Sequence, residues 1–437
     1  MSAHRKVLLV SVGKGGNRIA DAFLERLIRE NGVALGGRYD GPNSEGLGVF
    51  FDRHVTGSLI PRRILVDVDR SSLRAEQNSV YRPLALDYVV ETLDVGPNWA
   101  KGYHGSGEVA DYAMSAIMTR VEALDGDCVI WVIHTLGGGC GSGLGSLLLD
   151  RLADEMPNVP RISVASLPSD TTSASATEPY NAMLALNHVL SAAHQMICID
   201  NQQLFDICFR GSRVSVPTFA DLNEVICIAL NTLVTPLIWP GADGRRMTLE
   251  DFHAGLTLTP DEDATPWHSR AAGDVAPHLK LVSMAAWPLR VRTSSLPAVS
   301  DEIAATSMVR EQYSLLVPPY GGTWLKMLAV LSGPGATAEA FVRSLPSFAQ
   351  VVTNQAQNGT NRRAAAAGFH TGVSRSLMDL QVRFDKLTLQ KTFFRWYIDE
   401  GMDESRFRDA DYFVSQVTSA LRNIGLESTE DNPAEAE

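Results

Sequence analysis

Residues 137–143 read GGGCGSG, between the apolar run CVIWVIHTL (128–136) and the leucine-rich amphipathic run LGSLLLDRLADEM (144–156). Five glycines in seven positions allow the backbone to enter positive φ and turn N–H groups inward, and Ser142 adds a hydroxyl donor. At the start of a helix, such a loop is a cradle for phosphate oxygens. Its candidate contacts are Gly137, Gly138, Gly139, Cys140, Gly141, Ser142 and Gly143. A second cluster follows VLLVSV (7–12): Gly13, Gly15 and Gly16 offer N–H groups, Asn17 a side-chain amide and Lys14 a cation for direct phosphate contact. Neither loop fits GxxxxGK[ST] or GxGxxG, which argues against a P-loop, a dinucleotide fold and a nicotinamide oxidoreductase.

The elements that position these loops follow from the apolar pattern. VLLVSV (7–12), ILVDVD (64–69), CVIWVI (128–133), ISVASL (162–167) and ICID (197–200) are continuous apolar strands of the kind that form a parallel sheet covered on both faces. Between the first two, Ile19, Ala20, Phe23, Leu24, Leu27 and Ile28 repeat at helical spacing, with Asn31-Gly32 as the stop. The class is α/β, with loops at the C-terminal strand edge available to a ligand. FADLNEVICIALNTLVTPLIW (219–239) is apolar around most of its circumference and predicts a central helix buried between domains. LVSMAAWPL (281–289) and WLKMLAVLSG (324–333) predict strands of a smaller α/β domain. Two helices finish the chain, the last with a stripe of Phe407, Ala410, Val414, Val417, Leu421 and Ile424. NQAQNGTNRRAAA (354–366) predicts a flexible loop whose alanines could equally begin a helix.

Bulk properties exclude several classes. The chain of 437 residues is 45% hydrophobic, enough for a large core in two or three domains. A net charge of −12 argues against a nucleic-acid partner. Cys128, Cys140, Cys198, Cys208 and Cys227 are odd in number and form no CxxC pair, so buried thiols in a reducing compartment are expected. No apolar run reaches membrane-spanning length and the N-terminus lacks a signal-peptide pattern, which predicts a cytoplasmic protein. After Arg422 the chain carries acidic residues and no basic ones, a solubilising disordered tail.

HTLGGGCGSGLGS, with Cys140 where Thr is usual, resembles the signature loop of the tubulin superfamily. VGKGGNRIADAF (12–23), PRRILVDVD (61–69), GPNWAKGYHGSGE (96–108), TEPYNA (177–182), ICIDNQQLFDICFR (197–210) and FADLN (219–223) match in order. RWYIDEGMDESRF (395–407) is closer to tubulin than to the bacterial cell-division relative. The resemblance implies the tubulin fold: a nucleotide-binding domain (1–218), a central helix (219–240), an intermediate domain (241–373), C-terminal helices (374–425) and an acidic tail (426–437). It implies GTP or GDP as ligand with Mg²⁺, which Asp67 and Asp69 bear on. It places Asn201 and Asn223 at the guanine, Phe219 stacked on it, Glu178 at the ribose and Asn98 in the third phosphate loop. Pro97 stands where Asn is frequent, removing a donor.

In this family, hydrolysis is completed by the opposite end of the next subunit. MTLEDFHAGL (247–256) places Asp251 at the acidic catalytic position, with Glu250 as neighbour and possible substitute. The upstream Asn-x-Asp is replaced by a Gly-Arg-Arg stretch with a two-residue insertion, from which Arg245 or Arg246 is a candidate to cross the interface. The expected partner is a copy of this chain or a related tubulin-like subunit, head to tail. The alternative expectation is a nucleotide-binding subunit that caps or copolymerises and hydrolyses slowly. The stretch LRVRTSSLPAVS (289–300) is short against the loop tubulins use between protofilaments, which predicts single, paired or few-stranded filaments, with a hollow tubule as the alternative.

Overall fold

The structure, a computed structural model, describes residues 5–41, 43–71, 85–241, 243–258, 276–292, 301–309, 314–315, 322–333, 338–354 and 363–431. Most of the expected flexible loop, residues 293–300 of the short stretch and the end of the acidic tail lie outside the described residues. β1 (Lys6–Val12) leads into the first helix, Gly13–Glu30. A hairpin of β2 (Phe51–Arg53) and β3 (Leu59–Pro61) precedes β4 (Arg63–Asp67) and β5 (Asp87–Val90). β6 (Cys128–Thr135), β7 (Arg161–Leu167) and β8 (Gln195–Asp200) follow, with helices Gly107–Glu122, Gly145–Glu155 and Glu178–Ala192 between them and their neighbours. After the central helix, Phe219–Leu233, come β9 (Leu281–Trp287), β10 (Leu328–Ser332), β11 (Gln350–Asn354) and β12 (Arg363–Gly368).

Ten strands form one sheet in the order β5-β4-β1-β6-β7-β8-β9-β12-β10-β11. It is parallel from β5 to β9 and antiparallel where β12 meets β9 and β10. Side chains alternate across it: Val7 and Leu9 join a core with the first and central helices, while Leu8, Val10 and Val12 join one built with the helices 107–122, 145–155, 178–192, 373–388 and 405–431. The expected stripe of the last helix is buried at Phe407, Ala410, Val414, Val417 and Leu421, laying that helix on the second core. Among the described residues, no helix is long and apolar enough to cross a membrane.

Three expectations change. The last helix, Ser405–Asp431, runs on into the tail expected to be disordered. The central helix ends at Leu233 rather than near 240, and a separate turn, Thr235–Ile238, follows, because Pro236 has no N–H to continue the ladder. The alanines of RAAAAG are a strand, not a loop or helix. Ala365 and Ala367 face the central-helix side, and Ala364 and Ala366 the opposite core. Helix propensity yields here to strand pairing on both edges, with β9 and β10. The short strands β2, β3, β5 and β11 carry too little apolar signal to have been expected.

Burial lowers the pKa of His134 to about 4, His253 to about 3 and His370 to about 4. Between about pH 6.5 and those values the unfolded chain binds protons that the folded one does not. Stability therefore falls with pH across that window, by about 1.4 kcal/mol per unit for each histidine. Asp200, raised to about 6 by burial, opposes one of them below that pH. Denaturant titration is expected to give a lower unfolding free energy at pH 5 than at pH 7; an equal value would contradict neutral burial of these imidazoles.

Candidate functional site

From β1 the chain goes to β4 and β5 on one side and returns to β6 on the other, so a crevice opens beyond the C-terminal ends of β1 and β6. The loops after β1, β4 and β6 meet there around a cleft of about 440 Å³ lined by Lys14, Gly15, Asp67, Asp69, Asp94, Gly96, Thr135 and Gly138 to Gly141. The helical start at Cys140 runs through one wide π-type turn into the helix Gly145–Glu155. Among the glycines of 137–143 none has positive φ, contrary to the expectation; only Gly13 of the two loops does, at 73°. The loop glycines serve close approach instead. A Cβ on Gly139 would lie 2.5 Å from the Gly96 oxygen, and one on Gly16 2.2 Å from that of Ile133.

Three expected phosphate donors are engaged elsewhere. The Ser142 hydroxyl donates to the Gly138 carbonyl, closing the loop on itself. Asn17 is buried, and its amide donates to Val66 O at 3.2 Å and Asp67 Oδ2 at 2.9 Å. Arg63, also buried, donates to Asn17 O and Ser11 Oγ and pairs with Asp21. The network fixes Asp67, whose Oδ1 accepts from Val68 N and Asp69 N and, at 3.7 Å, from the Cys140 thiol. Burial and the Asp67 carboxylate push that thiol's pKa well up. The Asn98 side chain accepts from Lys101 N and donates to Trp396 O, capping a helix rather than facing the cleft. Glu178 packs on Gly137, with Oε1 accepting from Ala174 N and Ser175 N, and burial raises its pKa.

The expected base-reading residues stand on the same edge by helix register. The first and central helices run parallel with a constant offset of 208 residues: Cys227 Sγ contacts Ile19 O, Asn231 Nδ2 contacts Phe23 O, and Trp239 Nε1 contacts Asn31 Oδ1. That offset sets Asn223 level with Gly15. Phe219 begins the central helix and is 48% exposed as a residue. Asn201 opens a helix directly after β8, on the same strand edge. Beside them, Asp221 caps the central helix with Thr218 and takes two hydrogen bonds from Arg292, which hold its pKa down at about 2. The sequence offered no sign of this pair.

Asp251 and Glu250 lie at the other pole. Their helix, Leu249–Leu256, buries Leu249, Phe252 and Leu256, as its spacing predicts. Glu250 is 2.8 Å from Arg5, the residue before β1, so it is tied to the N-terminal sheet edge. Asp251 is exposed and exchanges hydrogen bonds with the capping Thr248. Seven residues of β1, about 20 Å, separate this edge from the glycine loops. Within one chain Asp251 cannot reach the cleft.

Two residues that hold the site went unforeseen. His134, fully buried in β6, bonds Gly141 O through Nδ1 and Ser163 Oγ through Nε2, each at 2.8 Å; a polar residue inside an apolar run was its only signal. Asn181 is also fully buried. It donates to Gly137 O and Pro97 O and accepts from Trp99 N and the Tyr397 hydroxyl. One amide thus ties two cleft loops to the C-terminal segment. Asn181→Leu is expected to destabilise the fold by about 3 kcal/mol or more, since it strands several buried partners. Denaturant unfolding checks this, and a loss below about 1 kcal/mol would contradict it.

Residues 6–209 match the family described as Tubulin/FtsZ family, GTPase domain. The chain is 26% identical to the tubulin beta-1 chain of Mus musculus, across 99% of this chain and 98% of that one. It is 27% identical to the tubulin beta chain of Saccharomyces cerevisiae (98% and 94% covered) and 29% identical to that of Bombyx mori (95% and 93%). Since the GTPase-domain match accounts for the cleft loops and the similarity continues through the central and C-terminal helices, the chain belongs to the tubulin superfamily and has the tubulin-like fold.

Proposed function

We propose that this protein is a cytoskeletal GTPase of the tubulin type. It binds GTP in the cleft, assembles head to tail with copies of itself or a related subunit in the cytoplasm, and hydrolyses GTP where two subunits meet. The observation that carries this reading is the separation of Asp251 from the cleft by the length of β1. A carboxylate and a phosphate cradle at opposite poles form one site only between molecules. Such contact is heterologous and, when it does not close a ring, propagates a filament.

In this reading the N–H groups opening the helix after Gly139 and those of Gly15 and Gly16 receive phosphate oxygens, with Lys14 beside them. Asn201 and Asn223 present amides that match the donor and acceptor edge of guanine, Phe219 stacks on the ring, and Glu178 accepts from the ribose hydroxyls. Asp67 and Asp69 line the cleft together, which fits Mg²⁺, an ion held by one or two carboxylates plus waters and substrate phosphates. Bound there, it would neutralise phosphate charge. The neighbour's Asp251, one oxygen already oriented by Thr248, holds the attacking water. Bound GTP favours the interface, and hydrolysis after assembly loosens it.

Asp251→Ala is expected to give filaments that form with GTP but persist, with phosphate release reduced at least about tenfold, as read by light scattering and phosphate assay. Rapid disassembly with unchanged phosphate release would remove Asp251 from the mechanism.

A further inference from the structure

The loop before the Asp251 helix carries two adjacent arginines in different environments. Arg246 Nη2 is 3.1 Å from Glu45, and its side chain is only 12% exposed. Arg245 is exposed, and among the described residues its guanidinium has no hydrogen-bond or ion-pair partner. The backbone beneath it is nonetheless well fixed. Arg245 N donates to Asp243 Oδ1 at 3.0 Å, its carbonyl accepts from Gly241 N at 2.8 Å, and Gly244 takes φ 75° to close the turn. Gly241 bridges to Asn354, whose amide donates to Trp239 O at 2.7 Å, and Met247 N donates to Pro236 O at 3.0 Å. A braced turn therefore projects one unpartnered cation from the pole that also carries Asp251.

The cleft at the opposite pole carries a single cation among the described residues. Asp67, Asp69 and Asp94 line it against Lys14 alone among the described residues. A triphosphate adds several negative charges, and phosphoryl transfer spreads further charge over the equatorial oxygens of the γ-phosphate, where GTPases of other folds place an arginine. A guanidinium suits that task because it is always charged and forms two parallel bonds to phosphate oxygens.

We propose that Arg245 is a catalytic residue in trans: in the filament its guanidinium enters the cleft of the adjoining copy and binds the γ-phosphate, supplying a second positive charge beside that of Lys14. The inference rests on the head-to-tail reading given above. A water oxygen forms the new bond to the γ-phosphorus while the bond to the β,γ-bridging oxygen breaks and leaves its electron pair on GDP. The water's proton passes to the departing phosphate. Arg245 donates hydrogen bonds throughout and transfers no proton.

The test compares wild type, Arg245→Ala, Arg245→Lys and Asp251→Ala at equal polymer mass. Arg245→Ala is expected to lower GTP hydrolysis per assembled subunit at least tenfold, with Arg245→Lys intermediate and GTP affinity of the dilute subunit unchanged. Labelled GTP on Arg245→Ala should be hydrolysed again when it copolymerises with excess wild type loaded with a non-hydrolysable GTP analogue, because the wild-type copies then supply the loop. This arm also decides the matter if Arg245→Ala fails to assemble alone. Hydrolysis by Arg245→Ala at the wild-type rate, with Asp251→Ala inactive, overturns the role of Arg245 only. Wild-type hydrolysis by both variants overturns the head-to-tail reading beneath it.

Discussion

The constraint on which everything else depends is length. The first helix, 18 residues or about 27 Å, starts in a phosphate loop and ends at Asn31, where Trp239 holds it. The central helix runs beside it at the fixed offset of 208 residues, from Phe219 and Asn223 at the cleft pole to the turn before Arg245 and Asp251 at the other. The two helices and β1 keep the cleft and the carboxylate apart. They are packed into one core.

Within the cleft pole, the loops are held mainly by one another. Glycine contacts set the spacing between backbones, Asn181 bonds two loops and Tyr397, and Asn17 with Arg63 fixes the Asp67 carboxylate. Most of these groups never touch the cleft. They make it stiff, so that backbone N–H groups are aimed before a ligand arrives and less ordering is required on binding.

The apolar runs of 7–12 and 128–133 were legible because they are short, rich in valine and isoleucine and followed by glycine loops, as strands buried on both faces are. The helix Leu249–Leu256 was legible from three apolar residues at helical spacing. Side-chain direction was not. Asn17, Asn98 and Ser142 sit where the motif places them, yet their polar atoms turn inward to neighbours that only the fold brings close. RAAAAG was misread because its strand pairing comes entirely from segments more than thirty residues away in the chain. Gly-Arg-Arg was visible as a departure from the family, but which arginine remains exposed depended on Glu45, two hundred residues earlier.

In the proposed function, a subunit whose cleft and carboxylate lie a strand's length apart has no complete site alone. The most direct measurement is phosphate release per molecule as a function of protein concentration with GTP in excess. The account predicts a rate near zero at high dilution that climbs steeply once filaments form. A rate per molecule that stays constant from dilute monomer to concentrated solution would contradict it.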